Sequence, residues 1–342
     1  MKILSIIGGS SGDAVFNYRI KLPLLTLAAN TKHEVRWVHF DKLDTVTEAP
    51  DIIVLNRPVA DESQREWIRD EFVAQMRKMK AAFVFETDDD YITRGGKTSM
   101  PYLDYADAVT VSTHELKRLY AGHTDKQIYV VKNSISTNWF AKKSLAAPRR
   151  DDRLTVGLTG TVGHIDDWRI FPGVIRAVRD KHPDVRFTCT GLHPGYLTDI
   201  AEFVDGSPYT EYPWTMRQID ILCCPLHPDK VFNKSKSAVK AIEGWAAARK
   251  VNGKLGGCAV IAARSAAYNG TVQHKHNGLL VKHDEQSWID VITFMIENKL
   301  QRLKFQVEGY RDVVKHHDIK NNWKPWAKAY ESIRRTYIGG TQ

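Results

Sequence analysis

The chain has 342 residues, 43% of them apolar and 26% charged, and carries a formal net charge of +9. That length exceeds what one hydrophobic core usually covers, so two domains are expected. No apolar run reaches the roughly 20 residues of a membrane-spanning helix, and Cys189, Cys223, Cys224 and Cys258 form no C-x-x-C pair, so free thiols in a reducing cytoplasm are expected.

MKILSIIGGSSG (1–12) has only five apolar residues before Gly8. That is too few for a secretory leader, and KILSII (2–7) reads as a strand. RIKLPLLTLAAN (19–30) reads as a helix with an early Pro23. EVRWVHF (34–40), DIIVLN (51–56) and AAFVFET (81–87) are rich in β-branched and aromatic residues and read as strands. ESQREWIRDEFVAQMRKMK (62–80) has helical apolar spacing, with acids early and bases late as the helix dipole prefers. DAVTVST (107–113) and QIYVVKN (127–133) are further strands.

SLAAPRRDDR (144–153) is small, charged and contains Pro148, which suits a linker. A second alternating set follows. Its strands are RLTVGLTG (153–160), VRFTCTG (185–191), DILCCPL (220–226) and CAVIAA (258–263). Its helices are WRIFPGVIRAVRDKH (168–182) and SWIDVITFMIEN (287–298), and the tail from about residue 300 to 337 is helical. The expected fold is α/β: two doubly wound parallel-sheet domains, 1–146 and 147–312, with C-terminal helices over 313–342 packing back on the first. Ligands of such domains bind at the carboxyl ends of the strands, here in a cleft between the two.

The charge is unevenly placed. Residues 1–150 carry 22 Lys and Arg against 19 Asp and Glu, whereas residues 301–342 carry 9 against 4. A basic surface favours polyanions such as nucleic acid, acidic glycans or anionic lipid, without choosing among them.

VFNKSKSAVKAIEG (231–244) follows the strand ILCCPL. Asn233 or Ser235 can cap a helix there, whose N-terminal N–H groups would form an anion site. On a continuous helix Lys236, Lys240 and Glu243 share one face, at i, i+4 and i+7. Lys236 can meet a phosphate, and Glu243 can accept two hydroxyl protons from a ribose diol. The alternative is a solvated face with ordinary Lys/Glu pairing.

CPLHPDKVFNKSKSAVKAIEGWAA (224–247) resembles the donor-binding segment of GT-B glycosyltransferases of the retaining, glycogen-synthase-like group (family 4-like), including phage-encoded members. YRIKLPLLTL (18–27), FVFETDDDY (83–91), DAVTVSTHEL (107–116) with VVKNSI (130–135), LTVGLTGTVGHIDDW (154–168) and HNGLLV (276–281) agree with that group in order. The resemblance implies sugar transfer with retention from a nucleotide sugar, a UDP-sugar first, to a hydroxyl acceptor, with no required metal. It places Lys236 and His164 on the donor diphosphate and Glu243 on the ribose. Gly160 and Thr161 allow close backbone approach, Asn233, Lys234, Ser235 and Ser237 line the donor, and Gly12 ends a facing loop.

The sequence departs from that group in three places. Ser235 stands where retaining members often have a glutamate, and TGTVGHIDD (159–167) lacks the usual basic pair. ARKVNGKLGGCAVIAA (248–263) extends a short glycine turn. In ETDDDY (86–91), three aspartates could bind a divalent metal through oxygen ligands. In the GT-B reading Glu86 and Asp88 instead orient an acceptor hydroxyl or act as a base, or the acids cap a following helix. The expected acceptor is double-stranded phage DNA carrying 5-hydroxymethylated pyrimidine, in the host cytoplasm. A glycan, lipid or virion-protein acceptor, a non-catalytic nucleotide- or polyanion-binding protein, and a sugar-nucleotide epimerase stand as rivals.

Overall fold

The computed structural model describes residues 1–8, 13–48, 50–56, 71–78, 80–93 and 101–337. By contact the chain divides into two compact units. The first comprises Met1–Ser134, Ser235–Ser237 and Ile319–Gln342; the second comprises Ile135–Lys234 and Ala238–Asp318.

The first unit holds six parallel strands: β1 (Lys2–Ile7), β2 (Glu34–His39), β3 (Ile52–Asn56), β4 (Ala82–Thr87), β5 (Ala108–Val111) and β6 (Gln127–Val130). Their order is β2-β1-β3-β4-β5-β6. Successive side chains of a strand point to opposite faces, and two cores result. Leu4, Ile6, Ile53, Leu55, Phe83 and Phe85 enter one. Ile3, Ile52, Val54, Ala82 and Val84 enter the other, with Ile20, Leu24 and Leu27 and with Trp326, Tyr330 and Ile333 of the helix Lys324–Tyr337. Burial on both faces explains why β1, β3 and β4 read as nearly continuous apolar runs.

The helix expected over 19–30 is observed as a wider π-helical turn, Asn17–Lys21, leading into the helix Leu22–Asn30. Pro23 has no N–H to aim at the Arg19 carbonyl, as a regular helix would require. Of the helix expected over 62–80, Val73–Lys78 is observed and residues 62–70 and 79 lie outside the described residues.

The second unit also has a six-stranded parallel sheet: β7 (Thr155–Thr159), β8 (Arg186–Thr190), β9 (Glu202–Val204), β10 (Ile221–Cys224), β13 (Ala259–Ala263) and β14 (Gly278–Val281). Its order is β14-β13-β10-β7-β8-β9. The helix Thr137–Ala146 groups with this unit, as does the helix Lys299–His316. The extension over 248–257 forms an unexpected antiparallel hairpin, β11 (Arg249–Val251) with β12 (Lys254–Gly256). Its turn is Asn252-Gly253, with φ of 46° and 74°. That pair supplies the two left-handed residues which a tight hairpin turn needs.

Asp220, just before β10, ties this unit together. Its Oδ1 and Oδ2 accept from Arg149 at 2.9 and 3.0 Å, Oδ1 also meets Arg249 at 2.6 Å, and Oδ2 accepts from the Thr155 N–H at 3.0 Å. Burial pushes this carboxyl up, but Arg149, Arg249 and the Thr155 N–H outweigh it and hold Asp220 below the usual carboxylate range. A depressed folded-state value stabilises the fold above the unfolded pKa of about 3.9, and that stability is lost as pH falls through the folded value. Asp220→Asn is therefore expected to cost about 1–3 kcal/mol at neutral pH and to flatten the acid limb of stability. Urea unfolding at neutral pH and near pH 3 checks both.

Candidate active site

In the second unit, β7 ends at Thr159 and the chain turns through Gly160 into a single 3-10 turn, Val162–His164. The His164 ring lies against Gly160. A Cβ at position 160 would stand 2.7 Å from His164 Cδ2 and 3.1 Å from Trp168 Cζ2, so only glycine leaves the ring in this place. Thr161 is exposed and makes no side-chain cap. His164 Nδ1 lies 3.1 Å from Asp167 Oδ2.

Asp167 is fully buried, and its other oxygen accepts from the His227 N–H at 2.9 Å and from Asn233 Nδ2 at 2.7 Å. Burial acts to raise the Asp167 carboxyl, but these three donors hold it below the usual range. Asn233 Nδ2 also donates to the His227 carbonyl at 3.1 Å. Asn233, expected to cap a helix or touch the donor, is instead a buried brace for the histidine loop.

The lysine stretch is not one helix. Val231–Ser235 and Val239–Ala246 are separate helices, and the second begins at Ala238 with no side-chain cap. In an unbroken helix the Ser235 carbonyl would accept from residue 239. Here it accepts from Thr113 Oγ1 at 3.0 Å. Ser237 Oγ accepts from Asn133 Nδ2 at 3.0 Å, and residues 235–237 group with the first unit. The expected caps at Asn233 and Ser235 and the shared i, i+4, i+7 face are thus corrected. Lys236 is half-buried in the break, and Lys234 is exposed at the end of the short helix.

Lys240 and Glu243 remain together. Lys240 Nζ lies 3.2 Å from Glu243 Oε2, and Glu243 is buried. The Tyr212 hydroxyl meets the same oxygen at 3.2 Å and Thr159 Oγ1 at 3.3 Å. It therefore links the end of β7 to the helix Val239–Ala246. Burial disfavours charge on Lys240, but Glu243 and Tyr212 outweigh that and hold its ammonium above the usual range. Burial likewise pushes the Tyr212 phenol up. Gly160 and His164 thus make one cluster, which Thr159 and Tyr212 connect to Glu243.

Two residues of this arrangement were not expected from sequence. Asp167 was visible, three places after His164 in GHIDDW. Tyr212 lies 31 residues before Glu243, and no local pattern marks it. Tyr212→Phe is expected to cost about 1–2 kcal/mol in affinity for a ligand of Glu243, since it removes one hydrogen bond to a buried carboxylate and the link from it to Thr159. Calorimetric titration of the variant with UDP-glucose measures that loss.

In the first unit Glu86 ends inside β4, fully buried. Its oxygens accept from Arg19 Nε at 2.6 Å and Nη2 at 3.0 Å, and from Thr110 Oγ1. Burial pushes its carboxyl up, and Arg19 and Thr110 oppose that push. A carboxylate so enclosed fits a structural ion pair, which corrects the expectation of an acceptor base there. Asp88 is half-buried just beyond the strand. Asp90 accepts from the Thr93 N–H at 2.8 Å, so it closes a turn rather than capping a helix. Among the described residues no group of three or more His, Cys, Asp or Glu could hold a metal ion. Gly12 lies outside the described residues.

No protein-family model matches the sequence, and no curated protein matches it. Solved structures do. HepE of Anabaena, in complex with UDP-glucose, is 13% identical with a TM-score of 0.67, over 97% of this chain and 100% of that one. Sucrose-phosphate synthase of Thermosynechococcus elongatus is 14% identical with a TM-score of 0.64, over 98% and 100%. A trehalose-6-phosphate protein of E. coli, bound with UDP-2-fluoro glucose, is 11% identical with a TM-score of 0.66, over 97% and 99%. The likeness is one of fold. Two six-stranded parallel sheets with C-terminal helices make this a protein of GT-B fold.

Proposed function

We propose that this protein is a glycosyltransferase that takes its sugar from a nucleoside diphosphate sugar, UDP-sugar first, and passes it with retention to a hydroxyl acceptor. One observation carries the reading: a glycine packed under an imidazole at the end of β7, joined through Thr159 and Tyr212 to a buried carboxylate. In this reading the glycine lets the diphosphate approach backbone, Glu243 takes the ribose hydroxyls, and Lys236, Lys234 and His164 meet the phosphates. Thr161, Ser235 and Ser237 line the donor. Neighbouring folds with UDP-sugars bound support the donor class. Calorimetric titration with UDP-glucose, then hydrolysis of UDP-glucose without acceptor, tests it. Binding without any turnover favours the rival reading of a non-catalytic nucleotide-binding protein, for which Ser235 in place of a glutamate speaks.

For the acceptor we propose hydroxymethylated duplex DNA. Its support is the excess of positive charge over residues 301–342, with Lys320, Lys324, Lys328, Arg334 and Arg335 all exposed. Phosphate contacts make such binding weaken steeply between about 50 and about 200 mM salt. A gel shift that shows no binding even at the lower salt ends this part of the proposal and leaves the donor reading standing.

A further inference from the structure

The loop after β7 offers one imidazole and no arginine or lysine between Thr159 and Asp167. That imidazole is unusually well fixed. The ring lies against Gly160, near-parallel to the Trp168 ring at 6.5 Å between centroids, and Asp167 takes its Nδ1 edge. Asp167 is itself held from three sides, by His164, by the His227 N–H and by Asn233. A neutral ring in this place carries its proton on Nδ1, facing Asp167, and presents Nε2 as an acceptor on its opposite edge. A protonated ring presents an N–H donor there, with the positive charge balanced by Asp167.

We infer that His164 is a pH-dependent anion contact for the donor diphosphate, and that Asp167, braced by Asn233, is the positioning residue that sets its tautomer and favours its charged form. The inference rests on the nucleotide-sugar reading above and extends it: donor affinity rises as pH falls through the His164 transition and is lost as pH rises.

Other groups surround this loop. Asp166 is paired with Lys230 at 2.6 Å and with Arg169 at 2.9 Å. The His227 and His283 rings stand 5.4 Å apart beside Asp167. Burial holds His283 below the usual histidine range, and His227 acts in the same direction. Any pH dependence of binding must therefore be traced to His164 by substitution.

The probe is UDP-glucose, whose diphosphate is esterified at both ends and has no proton to lose near neutrality. Its affinity is measured by calorimetry from about pH 5.5 to about pH 8.5 for wild type, His164→Gln and Asp167→Asn. Wild type is expected to bind about tenfold more tightly at the acid end, which is the effect of one pKa unit of coupling. His164→Gln is expected to bind weakly with a flat profile. In Asp167→Asn the amide oxygen can keep the His227 and Asn233 bonds while its NH2 donates to His164 Nδ1. That reverses the tautomer and removes the balancing charge, so the midpoint moves down by about one to three pH units. A merely structural Asp167 would lower affinity and leave the midpoint in place.

A His164→Gln profile as steep as that of wild type overturns the inference, as does an unmoved midpoint in Asp167→Asn. Should the latter variant not fold, nitrogen NMR of the wild-type imidazole decides: the Nδ1–H tautomer at high pH supports the inference and the Nε2–H tautomer overturns it. A wild type that binds no UDP-glucose at any pH refutes the nucleotide-sugar reading itself, a result distinct from binding that ignores His164.

Discussion

Replacing Arg19 by methionine is expected to remove about 3–5 kcal/mol of stability, the usual cost of leaving one half of a buried ion pair alone. Arg19 and Glu86 are both fully buried. Arg19 supplies two of the three donors that Glu86 accepts, donates to the Val131 carbonyl and to Asn133 Oδ1, and lies 4.5 Å over the Trp326 ring. The single variant leaves the Glu86 carboxylate buried with Thr110 as its remaining donor among these. Arg19→Met combined with Glu86→Leu removes both charges, and it is expected to recover most of the loss, because apolar replacement of a whole buried pair is often nearly neutral. Guanidinium unfolding of the two single variants and the double variant forms the cycle that measures the coupling. A double variant no better than Arg19→Met alone would remove the ion-pair account of Glu86. Asn133 accepts from Arg19 and donates to Ser237, so the pair also steadies residues 235–237, which carry Lys236.

Replacing Lys236 by alanine is expected to slow sugar transfer by about 10²- to 10³-fold, the cost of deleting one preorganised group at a developing charge. The expectation follows from the proposed donor reading. In that reading negative charge grows on the leaving diphosphate, and a compact ammonium in a half-buried loop opposes it more strongly than it would in water. Lys236 stands half-buried in the break between two helices. Glu243→Ala tests the other end of the nucleotide and is expected to act mainly on affinity. Unchanged UDP-glucose affinity and unchanged turnover in both variants would sink this site assignment.

Much of the fold was legible because parallel strands buried on both faces must be apolar throughout. KILSII, DIIVLN and ILCCPL could be read directly, and their strands are found where expected. β9 was missed because three residues of intermediate burial leave no period to read. The hairpin over 249–256 was missed although Asn252-Gly253 marks its turn, since its flanking strands have only three residues each. At the site, glycine at 160, histidine at 164 and glutamate at 243 could be nominated by position in a resembling pattern. Tyr212 could not, for it is brought to Glu243 by the chain's path and not by spacing.

The sequence by itself determined two alternating α/β sets and the residues most suited to a phosphate and a diol, because apolar periodicity and side-chain chemistry are local properties. Tertiary structure alone decided which of those groups are available. A hydroxyl from Thr113 ends the first helix of VFNKSKSAVKAIEG and puts Lys236 in a loop. Lys240, which the spacing put on one face with Lys236 and Glu243, stays with Glu243 alone. Glu86, which read as a base, is enclosed by Arg19, 67 residues away in sequence. Burial and pairing depend on what the fold brings within about 3 Å, and no window of sequence contains that information.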